Sequence, residues 1–158
     1  MSKIIYTHDI TLYLGDVCDA NDELNLTKKN INTIICVAED AKITINNSNI
    51  TIHKYNLQDS YECDISLYFD EISDLIHKQD FVLVICVAGI SRSASFVIAY
   101  IMKYYEMNLE DAFLYVRKRR NRICPNKKFM TYLYEYELKL FGENSLTYDE
   151  YVALFYYT

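Results

Sequence analysis

Phe81-Val-Leu-Val-Ile-Cys86-Val-Ala-Gly89-Ile-Ser91-Arg92-Ser93-Ala-Ser-Phe-Val-Ile-Ala-Tyr100 is the stretch from which the rest of the chain is read. An apolar, largely β-branched run ends at a cysteine. Six residues follow, with one glycine and a closing arginine, and a helical pattern starts at once. The order is strand, tight loop, helix. If the N–H groups of the loop turn inward and the helix starts at its rim, the loop is a cup for an anion, deepened by the helix dipole. Cys86 then lies at the base, where the cup favours thiolate over thiol. Arg92 can grip two oxygens of a bound phosphate with its planar fork. A cysteine at a strand end is more often a small core residue, and an arginine at a helix start is more often solvated. The conjunction CxxGxxRS, set between a strand and a helix, favours the anion site over that pair of structural roles.

The stretch resembles the phosphate-binding signature of the cysteine-dependent protein tyrosine phosphatases. Its continuation Ser93-Ala-Ser-Phe-Val-Ile-Ala-Tyr-Ile-Met-Lys103 is most similar to the dual-specificity branch. Val116-Arg117-x-x-Arg120-x-x-Ile123-x-Pro125-Asn126-x-x-Phe129 extends the resemblance, as do Leu12-Tyr13-Leu14-Gly15 and Tyr68-Phe69, so that it covers residues 10 to 141. It implies an α/β fold with a mixed, mainly parallel central sheet flanked by helices.

The bulk composition agrees with such a fold. The chain has 158 residues, 51% hydrophobic and 24% charged, enough for one domain with a sizeable core. With 3 Gly and 1 Pro there is no flexible linker. Residues 1–144 read as the catalytic domain and 145–158 as an aromatic amphipathic helix or tail, part of the same domain or an oligomer contact. The start Met1-Ser-Lys-Ile-Ile-Tyr lacks the apolar core of a signal peptide, and no run reaches membrane-spanning length. Cysteines 18, 36, 63, 86 and 124 are an odd count without paired spacing, which disfavours a secreted disulfide framework and a zinc knuckle. A reducing, cytoplasmic setting is the expectation. The net charge of −6 disfavours a nucleic-acid partner.

Along the chain, Ile10–Gly15 and Asn32–Val37 read as strands with a helix between them, started by the acidic residues after Asp16. Lys42–Tyr55 holds two alternating runs around an Asn/Ser turn, read as a hairpin or irregular edge leading into a central strand that ends near Asn56. Leu57–Cys63 is a polar loop, and Asp64 caps a helix carrying Ile65, Leu67, Tyr68, Phe69, Ile72, Leu75 and Ile76. Beyond the cup come helices Ser93–Tyr105, Leu109–Arg120 capped by Asn108, and one opened by Pro125-Asn126 and running to Leu140. Thr147 and Glu150 form a capping box for a last helix with Tyr148, Tyr151, Val152, Phe155 and Tyr156 on one face. Packing on its own domain is the plain role of that face. Docking on a second copy of the chain is the alternative.

A thiolate that attacks a phosphate ester needs an acid to protonate the departing oxygen. Asp59 occupies the position that matches the family's general acid, and Asp64 is its rival. The resemblance implies a metal-free, cofactor-free reaction through a cysteinyl-phosphate. In it Cys86 attacks, Arg92 and the N–H groups of Val87, Ala88, Gly89, Ile90 and Ser91 hold the oxygens, Ser93 helps the thiolate leave, and Asp59 serves as acid and then base. The basic cluster from Arg117 to Arg122 has three readings: a solvated helix end, a contact from Arg120 to a second anionic group of the substrate, or a nucleic-acid surface, the last the weakest. One position departs from the family's pattern. Ile85 stands where histidine precedes the cysteine, and isoleucine can pack but cannot hydrogen-bond the loop, which predicts a slower enzyme. The expected activity is hydrolysis of phosphotyrosine, with phosphoserine and phosphothreonine as further substrates. A phosphoprotein-binding module with weak turnover and an RNA 5′-phosphatase are the alternatives.

Overall fold

The computed structural model describes all residues 1–158. Its centre is a five-stranded sheet of β1 (Ser2–Tyr6), β2 (Thr11–Gly15), β3 (Thr33–Cys36), β4 (Thr51–Lys54) and β5 (Phe81–Ile85), in the order β1-β2-β5-β3-β4. β2, β5, β3 and β4 run parallel, and β1 pairs antiparallel with β2. The sheet is therefore mixed and mainly parallel, as expected. β5 takes the middle because Phe-Val-Leu-Val-Ile is apolar on both faces, and a strand between two parallel neighbours must be covered on both. Its C-terminal end delivers Cys86 to the edge of the sheet.

Two strand readings change. β4 is the edge strand rather than a central one, and its Thr-Ile-His-Lys side chains are largely exposed. Three of its four residues are polar, which suits an edge that meets water, and Lys54 there discourages pairing with another chain. No hairpin precedes it; residues 41–47 are irregular. β1 was not anticipated. Its register with β2 slips between Lys3 and Ile5, and that bulge turns the consecutive Ile4 and Ile5 both inward, erasing the alternation by which a strand is read.

Seven α-helices surround the sheet. The acidic stretch after β2 forms two short helices instead of one, α1 (Val17–Asn21) and α2 (Glu23–Lys28), because Asp16 and then Asp22 each cap a new start. Asp64 caps a 3₁₀ turn, Ile65–Tyr68, that leads into α3 (Phe69–His77). α4 (Arg92–Tyr105) is buried from Arg92 to Met102 and packs against α3 and the strands β2 and β5. α5 (Leu109–Arg119) and α6 (Lys127–Phe141) pack on α4 and are capped by Asn108 and Asn126. No helix is long and apolar enough to cross a membrane.

α7 (Tyr148–Tyr156) carries the anticipated capping box and lays its apolar face on its own domain. Phe155 stacks on Phe113 with centroids 3.8 Å apart, and Tyr151 is fully buried. The Tyr151 hydroxyl donates to the carboxylate of Glu137, which also accepts from Ser145 Oγ, Asn144 Nδ2 and the Leu109 N–H. Glu137 is 1% exposed, a burial that a carboxylate tolerates only when fully hydrogen-bonded. Leu154 is half-buried and Tyr157 remains exposed.

Candidate active site

The loop between β5 and α4 is built from outside inward. Its carbonyls point away from the centre, and each has a donor there. Val87 O accepts from Val17 N, Ala88 O from Arg122 Nη2, Gly89 O from Arg120 Nε and Ile90 O from Cys124 N, at 2.8 to 3.2 Å. A peptide unit whose carbonyl is held outward presents the opposite side inward. The N–H groups of Val87, Ala88, Ile90 and Ser91 find no acceptor in the protein, and the Gly89 N–H donates to Cys86 Sγ at 3.2 Å. Unpaired N–H groups converging at a helix start form an anion site. Gly89 is required at its position: φ is +64°, and a Cβ there would lie 2.5 Å from Gly15 O.

Cys86 is 2% exposed and shares a hydrogen bond with Ser93 Oγ at 3.1 Å. Arg92 folds back over the loop with its side chain 6% exposed. Its Nη1 donates to Asp40 Oδ1 at 2.5 Å and to Leu57 O at 2.9 Å, and Nη2 reaches Asp40 Oδ2 at 3.4 Å. Its Nε is buried and has no acceptor. Burial works against the guanidinium charge, but Asp40, the Cys86 sulfur and Asp59 hold the Arg92 pKa above its ordinary value. The Arg92 hydrogen bond in turn holds the Asp40 carboxyl below the usual carboxylate range. Asp40 was not singled out from the sequence. It lies 52 residues from Arg92, and no local pattern marks it.

Asp59 lies across the cavity. Its Oδ1 accepts from Ser91 Oγ at 3.0 Å and from Asn126 Nδ2 at 2.8 Å. Asp64 is committed elsewhere, accepting from the Ser66 N–H and hydroxyl at the 3₁₀ turn. Cys86, Arg92, Asp59, Asp40 and Asn126, with Val87, Ala88, Ile90, Ser91 and Cys124, line one cavity of about 450 Å³. A larger one of about 580 Å³ beside α5 and α6 is ringed by Glu106, Asp111, Glu137 and Glu143, whose charge repels a phosphate. Of the other cysteines only Cys36 is fully buried; Cys18 and Cys124 are exposed.

Arg120 is not a solvated helix end; it turns inward behind the loop. It is 8% exposed and absent from the cavity lining, with Nε on Gly89 O at 2.8 Å, Nη1 on Ser2 Oγ at 3.3 Å and Nη2 3.6 Å from Asp16. The outward carbonyls of the loop need a donor, and Arg120 supplies it from behind. Ile85 is fully buried between Gly15 of β2 and Cys36 of β3, a packing role only.

A thiol at the base of an anion cup, a guanidinium with an unspent donor and a carboxylate lining the same cavity make a site suited to phosphoryl transfer. Residues 12–139 match the family model for the dual specificity phosphatase catalytic domain. Human dual specificity protein phosphatase 21 is 36% identical over 140 residues, spanning 86% of this chain and 73% of the relative. Mouse dual specificity protein phosphatase 14 is 38% identical over 143 residues, spanning 86% and 70%. The crystal structure of the human tyrosine phosphatase-like serine/threonine/tyrosine-interacting protein superposes with a TM-score of 0.78 at 35% identity, covering 88% of this chain and 96% of that one. Fold, site and sequence agree: the chain belongs to the dual-specificity phosphatase family.

Proposed function

We propose that this chain is a protein phosphatase that hydrolyses phosphotyrosine, and phosphoserine and phosphothreonine more slowly, through a cysteinyl-phosphate intermediate without a metal or other cofactor. The carrying observation is the buried, unpartnered Arg92 Nε beside four free loop N–H groups above Cys86. These donors suit the three equatorial oxygens of a transferring phosphoryl group, whose charge they stabilise in the transition state. Cys86 Sγ attacks phosphorus as the bond to the leaving oxygen breaks, and Asp59 gives that oxygen its proton. Water then attacks the S–P bond's phosphorus, Asp59 takes a proton from it, and the sulfur leaves with a hydrogen bond from Ser93.

Phosphate release from an aryl phosphate and from phosphotyrosine and phosphothreonine peptides tests the proposal, with Cys86→Ser as control. Turnover in the native protein, absent in Cys86→Ser, supports it. Tight phosphopeptide binding without turnover would favour a binding module, and release from triphosphorylated RNA alone would favour the RNA 5′-phosphatase.

The five unpaired thiols support a reducing, cytoplasmic setting. A homodimer through the tail would use Tyr157, which is 75% exposed, because Tyr151 and Phe155 are spent inside the chain. Light scattering of native and Tyr157→Asp protein tests that contact: a dimer lost in the variant supports it, and a monomeric native protein refutes it.

A further inference from the structure

At the end of the sheet opposite Cys86, where β2 and β5 begin, a further cavity of about 460 Å³ opens between the β1–β2 ribbon and the end of α2. Phe81 on its wall lies about 16 Å along β5 from Cys86, so the cavity is separate from the catalytic cup. Lys3, Lys28 and Lys29 line it, and no carboxylate does. None of the three makes an ion pair, whereas Lys103 and Lys139 are both spent on Asp70. Tyr13 gathers two of them: Lys3 Nζ is 5.9 Å and Lys29 Nζ 5.5 Å from its ring centroid, and Lys3 Nζ is 4.8 Å from that of Tyr6. Cation–π attraction holds these ammoniums in place but does not neutralise them. A second observation is independent of charge. Thr11 and Tyr13, two apart on β2, are 4% and 5% exposed and line the cavity, yet neither hydroxyl bonds to any group of the protein. Buried hydroxyls normally have a partner, and the cavity is where these two can meet one. Solvation is the ordinary role of a lysine at a sheet end, and it leaves the two idle hydroxyls unexplained.

We propose that this cavity binds a compact oligophosphate, a ligand with at least two adjacent phosphate groups, at a site distinct from the catalytic one. Each lysine meets phosphate as a point charge, and the Thr11 and Tyr13 hydroxyls donate to further oxygens. A phosphate monoester carries about −1.5 to −2 at pH 7 and leaves a lysine unmatched, whereas a pair of phosphates matches all three. The chain as a whole is acidic, with a net charge of −6, so the attraction is confined to this local field. Such phosphates arrive either on a soluble molecule or on a lipid headgroup. In both cases the ligand ties the end of α2 to the β1–β2 ribbon and stabilises the folded chain by mass action.

The test is calorimetric titration of pyrophosphate into Cys86→Ser protein, which cannot turn over a bound phosphate, and into the same protein carrying Lys3→Gln, Lys28→Gln and Lys29→Gln. The catalytic cup is common to both proteins, so any anion bound there cancels. The lysine variant should show one site fewer, its affinity down at least about a hundredfold. Lys3 and Lys28 are exposed and Lys29 is half-buried, so glutamine is accommodated, and equal melting temperatures without ligand check the fold. Tyr13→Phe, which removes a single hydroxyl, should weaken pyrophosphate at this site about three- to tenfold. Sedimentation with phosphatidylcholine vesicles, with and without phosphatidylinositol bisphosphate, distinguishes the sources. Lysine-dependent sedimentation with the phosphorylated lipid assigns a headgroup, and pyrophosphate binding without sedimentation assigns a soluble oligophosphate. An equal number of pyrophosphate sites in the two proteins, together with no lysine-dependent sedimentation, would overturn the proposal.

Discussion

Replacing Arg120 by methionine separates a residue that reads the substrate from one that holds the loop. Methionine keeps most of the apolar stem and removes the guanidinium. Gly89 O then loses its 2.8 Å donor in a buried setting, which costs about 1–3 kcal/mol. The Ser2 contact at 3.3 Å and the Asp16 contact at 3.6 Å are long and add about 1 kcal/mol at most, and Ala88 O keeps Arg122. The total is about 1–4 kcal/mol, and in a chain of this size each kcal/mol moves the melting temperature by about 2–4 °C, so a fall of about 2–16 °C is expected. A released Gly89 carbonyl lets the loop relax, and a nucleophile displaced by about an ångström loses about a hundredfold in rate. Singly and doubly phosphorylated peptides should therefore lose kcat/KM by the same factor. An unchanged melting temperature together with a loss confined to the doubly phosphorylated peptide would refute the supporting role and restore Arg120 as a substrate contact.

Three further outcomes are expected. Gly89→Ala forces a Cβ to 2.5 Å from both Gly15 O and Arg120 Nη2 at φ +64°, so phosphate release should fall at least about a hundredfold; a rate within tenfold of native would contradict the close approach. Hydrogen bonds from Lys139, Tyr136 and Lys103 depress the Asp70 pKa to about 2, against an ordinary 3.8. A depressed carboxyl stabilises the fold above its unfolded value and loses that contribution as pH falls through its folded value. Asp70 is half exposed, so screening leaves about 1 kcal/mol. Urea unfolding of Asp70→Asn should show that deficit near neutral pH and a shrinking one from about pH 4 toward pH 2; a pH-independent difference would exclude the linkage. Ile85→His should allow the loop a hydrogen bond that isoleucine cannot make, and each 1.4 kcal/mol so gained raises Cys86 alkylation below neutral pH about tenfold; superimposable alkylation profiles for the two proteins would deny Ile85 any effect on the thiol.

The legible part of the site is the part that is local. Cys86 to Ser93 sit in one continuous strand, loop and helix start, so spacing alone brings the nucleophile, the glycine and the arginine together. Asp59 needed the resemblance to a family, because a loop aspartate carries no pattern of its own. Asp40, the supporting role of Arg120 and the double role of Asn126 were not legible: each acts across 31 to 67 residues of chain, and each is an ordinary residue by composition. The same distinction explains the fold. Apolar runs and caps marked β2, β3, β5 and α3 to α7, whereas the bulge hid β1, and the sheet order that puts β4 at the edge is a property of assembled strands.

The sequence by itself determined a mainly parallel α/β sheet and a cysteine-based anion cup between one strand and the helix that follows it, because strand, turn and helix propensities act over a few neighbouring residues. The tertiary structure alone decided which groups hold that cup open. The loop carbonyls are tied outward by donors from α1, the α5–α6 turn and Arg120, leaving its N–H groups inward, and only packing distant segments together brings those donors within 3 Å or so of the loop.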